Sequence, residues 1–293
     1  MKVSNYISLF LEAVLAVALV VLCTSFLFGQ DKAAYKAKHK EFCSDNTYSN
    51  GDKVSFRDMR EITLPATGNF AVDGGRNGGI RVIGENRSDV LVKACIQTWG
   101  SSDEAAKALA NSIKIATNPS VKAEGSEENG WSVSYEVRVP QSTNLKLNAH
   151  NGGISISTVD GSMEFETTNG GVNLQNVSGD VKGRTTNGGV NVTLSGNSWK
   201  GAGLDVQTSN GGVNLTIPET YAANIETGTV NGGFRSDIPS LNVTTEDIKG
   251  ETAGRKRGGR INTTLNGGGA PIRVVTTNGG IRINSTERSP VNY

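Results

Sequence analysis

Few side chains in this 293-residue chain have the type and spacing to do chemistry. Glu164 and Glu166 stand two apart, so in an extended segment both carboxylates leave one face. A carbohydrate-cleaving β-protein would use such a pair as general acid and base. The aligned positions 18 residues on, however, are Lys182 and Arg184, which favours cross-strand ion pairing on a solvated face. Asp160 and Asp180 adjoin Gly161 and Gly179, a pattern of turns. His39 and His150 have no Cys or His partner at metal-ligand spacing, so no metal is expected. No phosphate loop, dinucleotide fingerprint or nucleophile motif is present, so no cofactor and no catalytic residue is expected.

The densest basic run contains Arg255, Lys256, Arg257 and Arg260. It reads as a solvated loop, or more sharply as a contact for an anionic envelope component such as acidic glycan or lipid headgroups. Trp199 reads either as a packing residue at a bulge or as an exposed sugar-stacking platform. Cys43 and Cys95 remain once Cys23, inside an apolar segment, is set aside; they read as one disulfide of an exported chain or as two thiols.

The elements that must carry these residues follow from glycine. The chain holds 37 glycines, and aromatic residues make up only 6%. A Gly-X-Y period is absent, which excludes collagen. Gly- and Asn-rich segments are poor helix formers, which excludes a bundle. The formal net charge of +1 gives no basic excess for nucleic-acid binding.

Asn-Gly-Gly begins at Asn77, Asn151, Asn169, Asn187, Asn210, Asn231, Asn266 and Asn278. Thr168 to Leu174 and Thr186 to Val192 share one pattern, which Ser209 to Leu215 and Thr277 to Ile283 continue. Asn and Gly tolerate positive φ, so each triplet is expected to be a tight turn. Asn151, Gly152, Gly153, Asn169, Gly170, Gly171, Asn187, Gly188, Gly189, Asn210, Gly211 and Gly212 are the structural turn residues. Each turn precedes period-two alternation, as in Ile154 to Ser157, so strands with one buried face follow.

Recurrence every 18 to 23 residues implies stacked coils. The expected fold is all-β: a single-stranded parallel β-helix or β-solenoid, wound right-handed by the crossover rule. Val, Ile and Leu should line the inside, Thr and Ser the outside. Asparagines 151 to 231 should stack at one corner in an amide ladder. The 35-residue gap between Asn231 and Asn266 breaks the period.

Ahead of the repeat, Arg60 to Leu64, Ile80 to Ile83, Val90 to Ile96 and Trp131 to Val139 read as strands. One inserted helix is expected near 102–113, with Ser102 as N-cap and Asp103 and Glu104 in its first turn, placed to cover the solenoid end. Residues 1–30 read as a signal peptide or membrane anchor. The uncharged run Ala13 to Cys23 fits a signal core better than a full span. An uncleaved anchor and a cytoplasmic chain are the alternatives. Residues 31–59 form a polar spacer, 60–150 irregular coils, 151–286 the repeat solenoid and 287–293 a tail.

The Thr-Asn-Gly-Gly-Val/Ile-x-Val/Leu pattern after a signal-like segment resembles the bacterial "putative adhesin" domain family of unknown function, over roughly residues 60–286. The resemblance implies a β-helical protein of the cell envelope and supplies no catalytic motif. The expected function is therefore an exported, non-enzymatic, adhesin-like or structural module of the periplasm, outer envelope or cell surface. Its partners would be an envelope or extracellular glycan or a protein, with no nucleic acid. A carbohydrate-active β-helix lyase or hydrolase is one alternative. A membrane-tethered scaffold or sensor, held by an uncleaved N-terminal segment, is another.

Overall fold

The structure is a computed structural model that describes residues 42–43, 53–125, 130–238, 241 and 258–286. The chain divides into two compact units, Met1–Asn46 and Thr47–Tyr293, and the fold below is that of the second. The expected leader at 1–30, Cys23, His39 and the 287–293 tail lie outside the described residues, as do Arg255, Lys256 and Arg257. Among the described residues no helix is long and apolar enough to cross a membrane.

Strands β1 (Val54–Pro65), β2 (Asn69–Asp73), β3 (Ile80–Glu85) and β4 (Asp89–Gly100) precede helix α1 (Asp103–Ser112). Then come β5 (Lys114–Ala116), β6 (Val121–Glu124), β7 (Trp131–Pro140) and β8 (Asn144–Ala149). The repeat supplies β9 (Ile154–Ser157), β10 (Asp160–Thr167), β11 (Val172–Gln175), β12 (Ser178–Asn187), β13 (Val190–Thr193), β14 (Gly203–Asn210) and β15 (Val213–Ile217). The closing part holds β16 (Ala223–Asn231), β17 (Phe234–Ser236), β18 (Gly259–Leu265), β19 (Pro271–Asn278) and β20 (Ile281–Ser285).

These strands form two mixed ten-stranded sheets, ordered β1-β4-β7-β3-β9-β11-β13-β15-β20-β17 and β18-β16-β19-β14-β12-β10-β8-β2-β6-β5. Each coil gives one strand to each sheet. Within the repeat the pairing is parallel and equivalent residues align: Val172 lies between Ile154 and Val190, and Val181 between Met163 and Leu204. Their inward side chains are buried between the sheets, which is where period-two alternation puts them. The packing is complementary from coil to coil. At Gly183 a Cβ would strike the buried ring of Phe165, so the missing side chain makes room for the ring.

The ends depart from parallel pairing. β1, β4 and β7 pair antiparallel, as do β5 with β6 and β16 with β18. α1 is capped by the Ser102 side chain, which accepts from the Ala105 N–H, and it packs on β4 and β1 through buried Ala106 and Ala110. Arg60 donates to the Ala110 carbonyl at 2.8 Å and to the Ile113 carbonyl, occupying acceptors that the helix end leaves open. β1 begins at Val54, inside the stretch expected to be spacer, and runs well beyond the Arg60–Leu64 reading.

The coil order differs from the chain order. The last coil, β19 and β20, sits between the coil of β14 and β15 and the coil of β16 and β17. This placement accounts for the broken period after Asn231: the chain leaves one coil-width open and fills it at the end. Behind it, the two longer repeats meet at a separate corner. Trp199 is buried there and donates from Nε1 to the Gly179 carbonyl at 2.9 Å, so it packs a bulge and offers no sugar platform. Tyr221 is buried nearby in sequence register, where burial pushes its phenol up to about 12.

Candidate functional site

One corner of the stack is a continuous asparagine ladder, and it forms the edge of the candidate site. Along Asn77, Asn151, Asn169, Asn187, Asn210, Asn278 and Asn231, each Nδ2 from Asn151 onward donates to the Oδ1 of the asparagine before it in the stack, at 2.7–2.9 Å. The expected ladder from 151 to 231 is present, with Asn278 inserted between Asn210 and Asn231. Asn266 lies off the ladder and donates instead to the Glu219 and Tyr221 carbonyls.

The glycines after these asparagines are not there for positive φ. Among the eight triplets only Asn266, Gly267 and Gly268 lie in the left-handed region. In the ladder the requirement is close approach. A Cβ on Gly152, Gly170, Gly188, Gly211, Gly279 or Gly232 would fall under 3.0 Å from the backbone oxygen of the neighbouring coil's glycine. Coils at β-spacing leave no room for a side chain pointing along the stack.

Beneath this ladder runs a second one that the sequence reading placed on the wrong side. Thr167, Thr185, Thr208, Thr276 and Thr229 are buried, and each hydroxyl donates to a ladder-glycine carbonyl at 2.7–2.8 Å. A buried carbonyl without a partner is costly, so these threonines face inward. The Thr that recurs two residues before Asn169, Asn187, Asn210, Asn231 and Asn278 was the available signal.

On the outer face of the second sheet, three rows cross the strands beside this corner. The first row alternates in charge: Lys146, Glu164, Lys182, Asp205, Arg273 and Glu226 are in register. Its Arg273 binds Asp205 at 2.7 Å and Glu226 at 3.2 Å. Partial burial acts against the Arg273 charge, but the two carboxylates outweigh it and hold the guanidinium above its ordinary value. Lys146 lies 3.9 Å from Glu164, and Lys182 turns to Asp180 at 3.1 Å.

The second row runs through Glu166, Arg184, Gln207, Val275, Gly228 and Arg260. Arg184 binds Glu166 at 2.9 Å, and that hydrogen bond raises its affinity for the proton. Glu166 therefore pairs with its aligned cation Arg184, whereas Glu164 faces Lys146 on the preceding strand and its aligned Lys182 turns to Asp180. The third row is Thr186, Ser209, Thr277 and Val230, next to the asparagines.

Because Gly228 has no side chain and Val275 a short one, the second row dips at its centre. The result is an open groove of about 720 Å³, lined by Arg184, Gln207, Arg260, Arg273, Ser209 and Thr277 among others. Val230 stands at its rim, 62% exposed. Arg184 and Arg273 are committed to carboxylates; Arg260 makes no ion pair among the described residues. Of the expected basic patch, Arg260 alone is described, and it lies in this groove. His150 is exposed beside the ladder. Among the described residues no group of three His, Cys, Asp or Glu side chains could hold a metal.

The outer face of the first sheet is different. Across β9, β11, β13 and β15 it presents the uncharged Ser155, Ser157, Asn173, Gln175, Asn191, Thr193, Asn214 and Thr216, with Arg81 in register on one side and Arg282 and Arg235 on the other. Asn214 donates to Asn191 at 2.8 Å.

No curated protein matches the chain. Three solved structures are similar to it at low identity. A "putative cell adhesion protein" of Clostridium sporogenes is 13% identical with a TM-score of 0.40, over 79% of this chain and 100% of that one. A "putative adhesin" of Bacteroides fragilis is 7% identical with a TM-score of 0.31, over 78% and 97%. A "putative lipid binding protein" of Parabacteroides distasonis is 11% identical with a TM-score of 0.30, over 79% and 97%. The Toastrack DUF4097 family model matches residues 98–284, from the last three residues of β4 into β20. The chain belongs to the Toastrack DUF4097 family.

Proposed function

We propose that the protein is an exported, non-enzymatic, adhesin-like module of the cell envelope that holds an acidic glycan along the groove of the second sheet. The observation that carries this reading is Arg260. Its guanidinium lines the groove without an ion pair among the described residues, in a groove that also holds the hydroxyls of Ser209 and Thr277. An extended acidic sugar chain would meet a cation for its carboxylates and hydroxyl or amide partners for its ring hydroxyls. In the chain, Arg255, Lys256 and Arg257 stand just before Arg260 and would extend the same field.

The test is binding of full-length protein to an acidic polysaccharide, with its neutral counterpart and anionic lipid vesicles as further arms. Charge reversal at Arg255, Arg257 and Arg260 together should abolish acidic-glycan binding and leave folding intact. Unchanged binding, or retention on vesicles alone, contradicts the reading. Enzymatic turnover of the polysaccharide that one acidic substitution abolishes would replace it with the hydrolase reading.

Three further assignments complete the proposal. Residues 1–30 act as a cleaved export signal, to be checked by the mass of the mature N-terminus. Cys43 and Cys95 form one disulfide in the oxidising compartment beyond the membrane, to be checked by a thiol count with and without reductant. The coils wind right-handed, as the crossover rule favours.

A further inference from the structure

The out-of-order coil sits in a slot whose walls repeat its own pattern. One wall carries Leu204, Val206, Thr208 and Asn210; the other carries Ile225, Thr227, Thr229 and Asn231. The inserted strand β19 matches both with Ile272, Val274, Thr276 and Asn278. Contacts run from the insert to each wall. Asn278 donates to Asn210 and accepts from Asn231, both at 2.8 Å. Thr276 donates to the Gly211 carbonyl at 2.8 Å, and buried Thr227 donates to the Val274 carbonyl at 2.7 Å. Arg273 pins the insert between Asp205 and Glu226.

The insert enters from one corner only. Away from the asparagine ladder, the chain before β16 lies directly on the preceding repeat: Ala222 bridges to Ser198 and donates to the Asn197 carbonyl at 2.7 Å. The two-stranded unit β19–β20 is thus a wedge, and the slot walls stay joined behind it. A single short link, Asn266 to Ala270, ties it to β18. Gly267 and Gly268 in that link have φ of +89° and +82°, and no Cβ at Gly267 would meet a neighbour. The strand pairings that seat the wedge run between residues 271–285 and the walls, while the link is held by Asn266 on the Glu219 and Tyr221 carbonyls and by Asn224 on the Gly269 and Ala270 carbonyls. The strand pairings cannot distinguish the chain's own wedge from that of an identical chain. An exchange that conserves the strand pairings and gives up only the contacts of a short hinge is a low-cost route to a dimer.

We propose that the slot between β14–β15 and β16–β17 is an exchange site whose partner is a second copy of this chain, and that residues 271–285 are the unit exchanged. Reciprocal exchange gives a closed dimer. Each glycan groove then receives Arg273, Val275 and Thr277 from the partner copy. The inference stands on topology and holds whether or not the groove binds a glycan.

The test uses full-length chains carrying Gln207→Cys and Val275→Cys, outer-face residues paired in register across β14 and β19. Isotopically heavy and light chains are mixed, unfolded, refolded together and oxidised. The peptide linked through positions 207 and 275 is then weighed. Exchange gives mixed heavy–light linked peptides at high protein concentration, falling by about tenfold or more on dilute refolding, as a bimolecular step requires. Linked peptides that are only all-heavy or all-light at every concentration overturn the proposal. The pair Asn214→Cys and Arg282→Cys, in register across β15 and β20, repeats the test on the other sheet if the first variant fails to fold.

Discussion

The stacked middle, residues 151–217, and the closing end, residues 218–286, use the same vocabulary in different ways. In the middle, chain order and stack order agree, and each coil templates the next. At the end the chain steps past one position, caps itself with antiparallel β18, and returns to fill the gap. The same Asn-Gly-Gly triplet has two physical meanings in these regions. In the ladder its first glycine is required because a neighbouring backbone occupies the side-chain position. After Asn266 it is required because the backbone turns left-handed. A repeated motif therefore does not imply a repeated cause.

Substituting equivalent glycines should break this comparison most sharply. Gly170→Ala forces a Cβ against the Gly152 carbonyl, and the stack fixes both backbones. The expected loss is about 4 kcal/mol or complete failure to fold, in the range reserved for major steric disruption. Gly267→Ala meets open space and costs only the left-handed conformation, about 1–2 kcal/mol. Denaturant midpoints of the two variants measure the difference; equal losses would remove the distinction.

The threonine ladder gives a smaller effect. Thr185→Val keeps shape and burial but strips the donor from the Gly170 carbonyl, for an expected cost of about 1–3 kcal/mol. Thr186→Val, one residue on and exposed, should change stability by less than about 0.5 kcal/mol. Unfolding curves of both variants check whether the inward hydroxyl is what the motif selects.

The smallest effect is expected on the outer face. Arg184→Ala removes an exposed pair with Glu166 and should leave the denaturant midpoint nearly unchanged, with any small loss disappearing in high salt. A salt-independent loss would show that Arg184 has a packing role instead.

The sequence made the periodic parts legible. Spacing of Asn151, Asn169 and Asn187 predicted parallel register, and Ser102 predicted the start of α1. Alternation predicted which of Val172, Asn173 and Leu174 faces the core. Local patterns sufficed because each depends on neighbours in a fixed repeat. The position of the final coil was not legible, since Ile272, Val274 and Thr276 fit between any two coils equally well. The inward turn of Thr185 was also missed: its type says polar, and only the accounting of the Gly170 carbonyl makes it a core residue. Nor did spacing reveal the groove, because Arg184, Val275, Gly228 and Arg260 become neighbours only once β19 is inserted.

The stack order is the central claim, and paired cysteines at the asparagine corner test it most directly. Asn210→Cys with Asn278→Cys places two cysteines in register on adjacent strands, within disulfide reach, whereas Asn210→Cys with Asn231→Cys leaves a whole coil between them, about 9–10 Å. Oxidation and peptide mass mapping should find the 210–278 link in nearly all folded protein and no 210–231 link. A 210–231 link without a 210–278 link would mean that the coils stack in chain order, and would contradict the account.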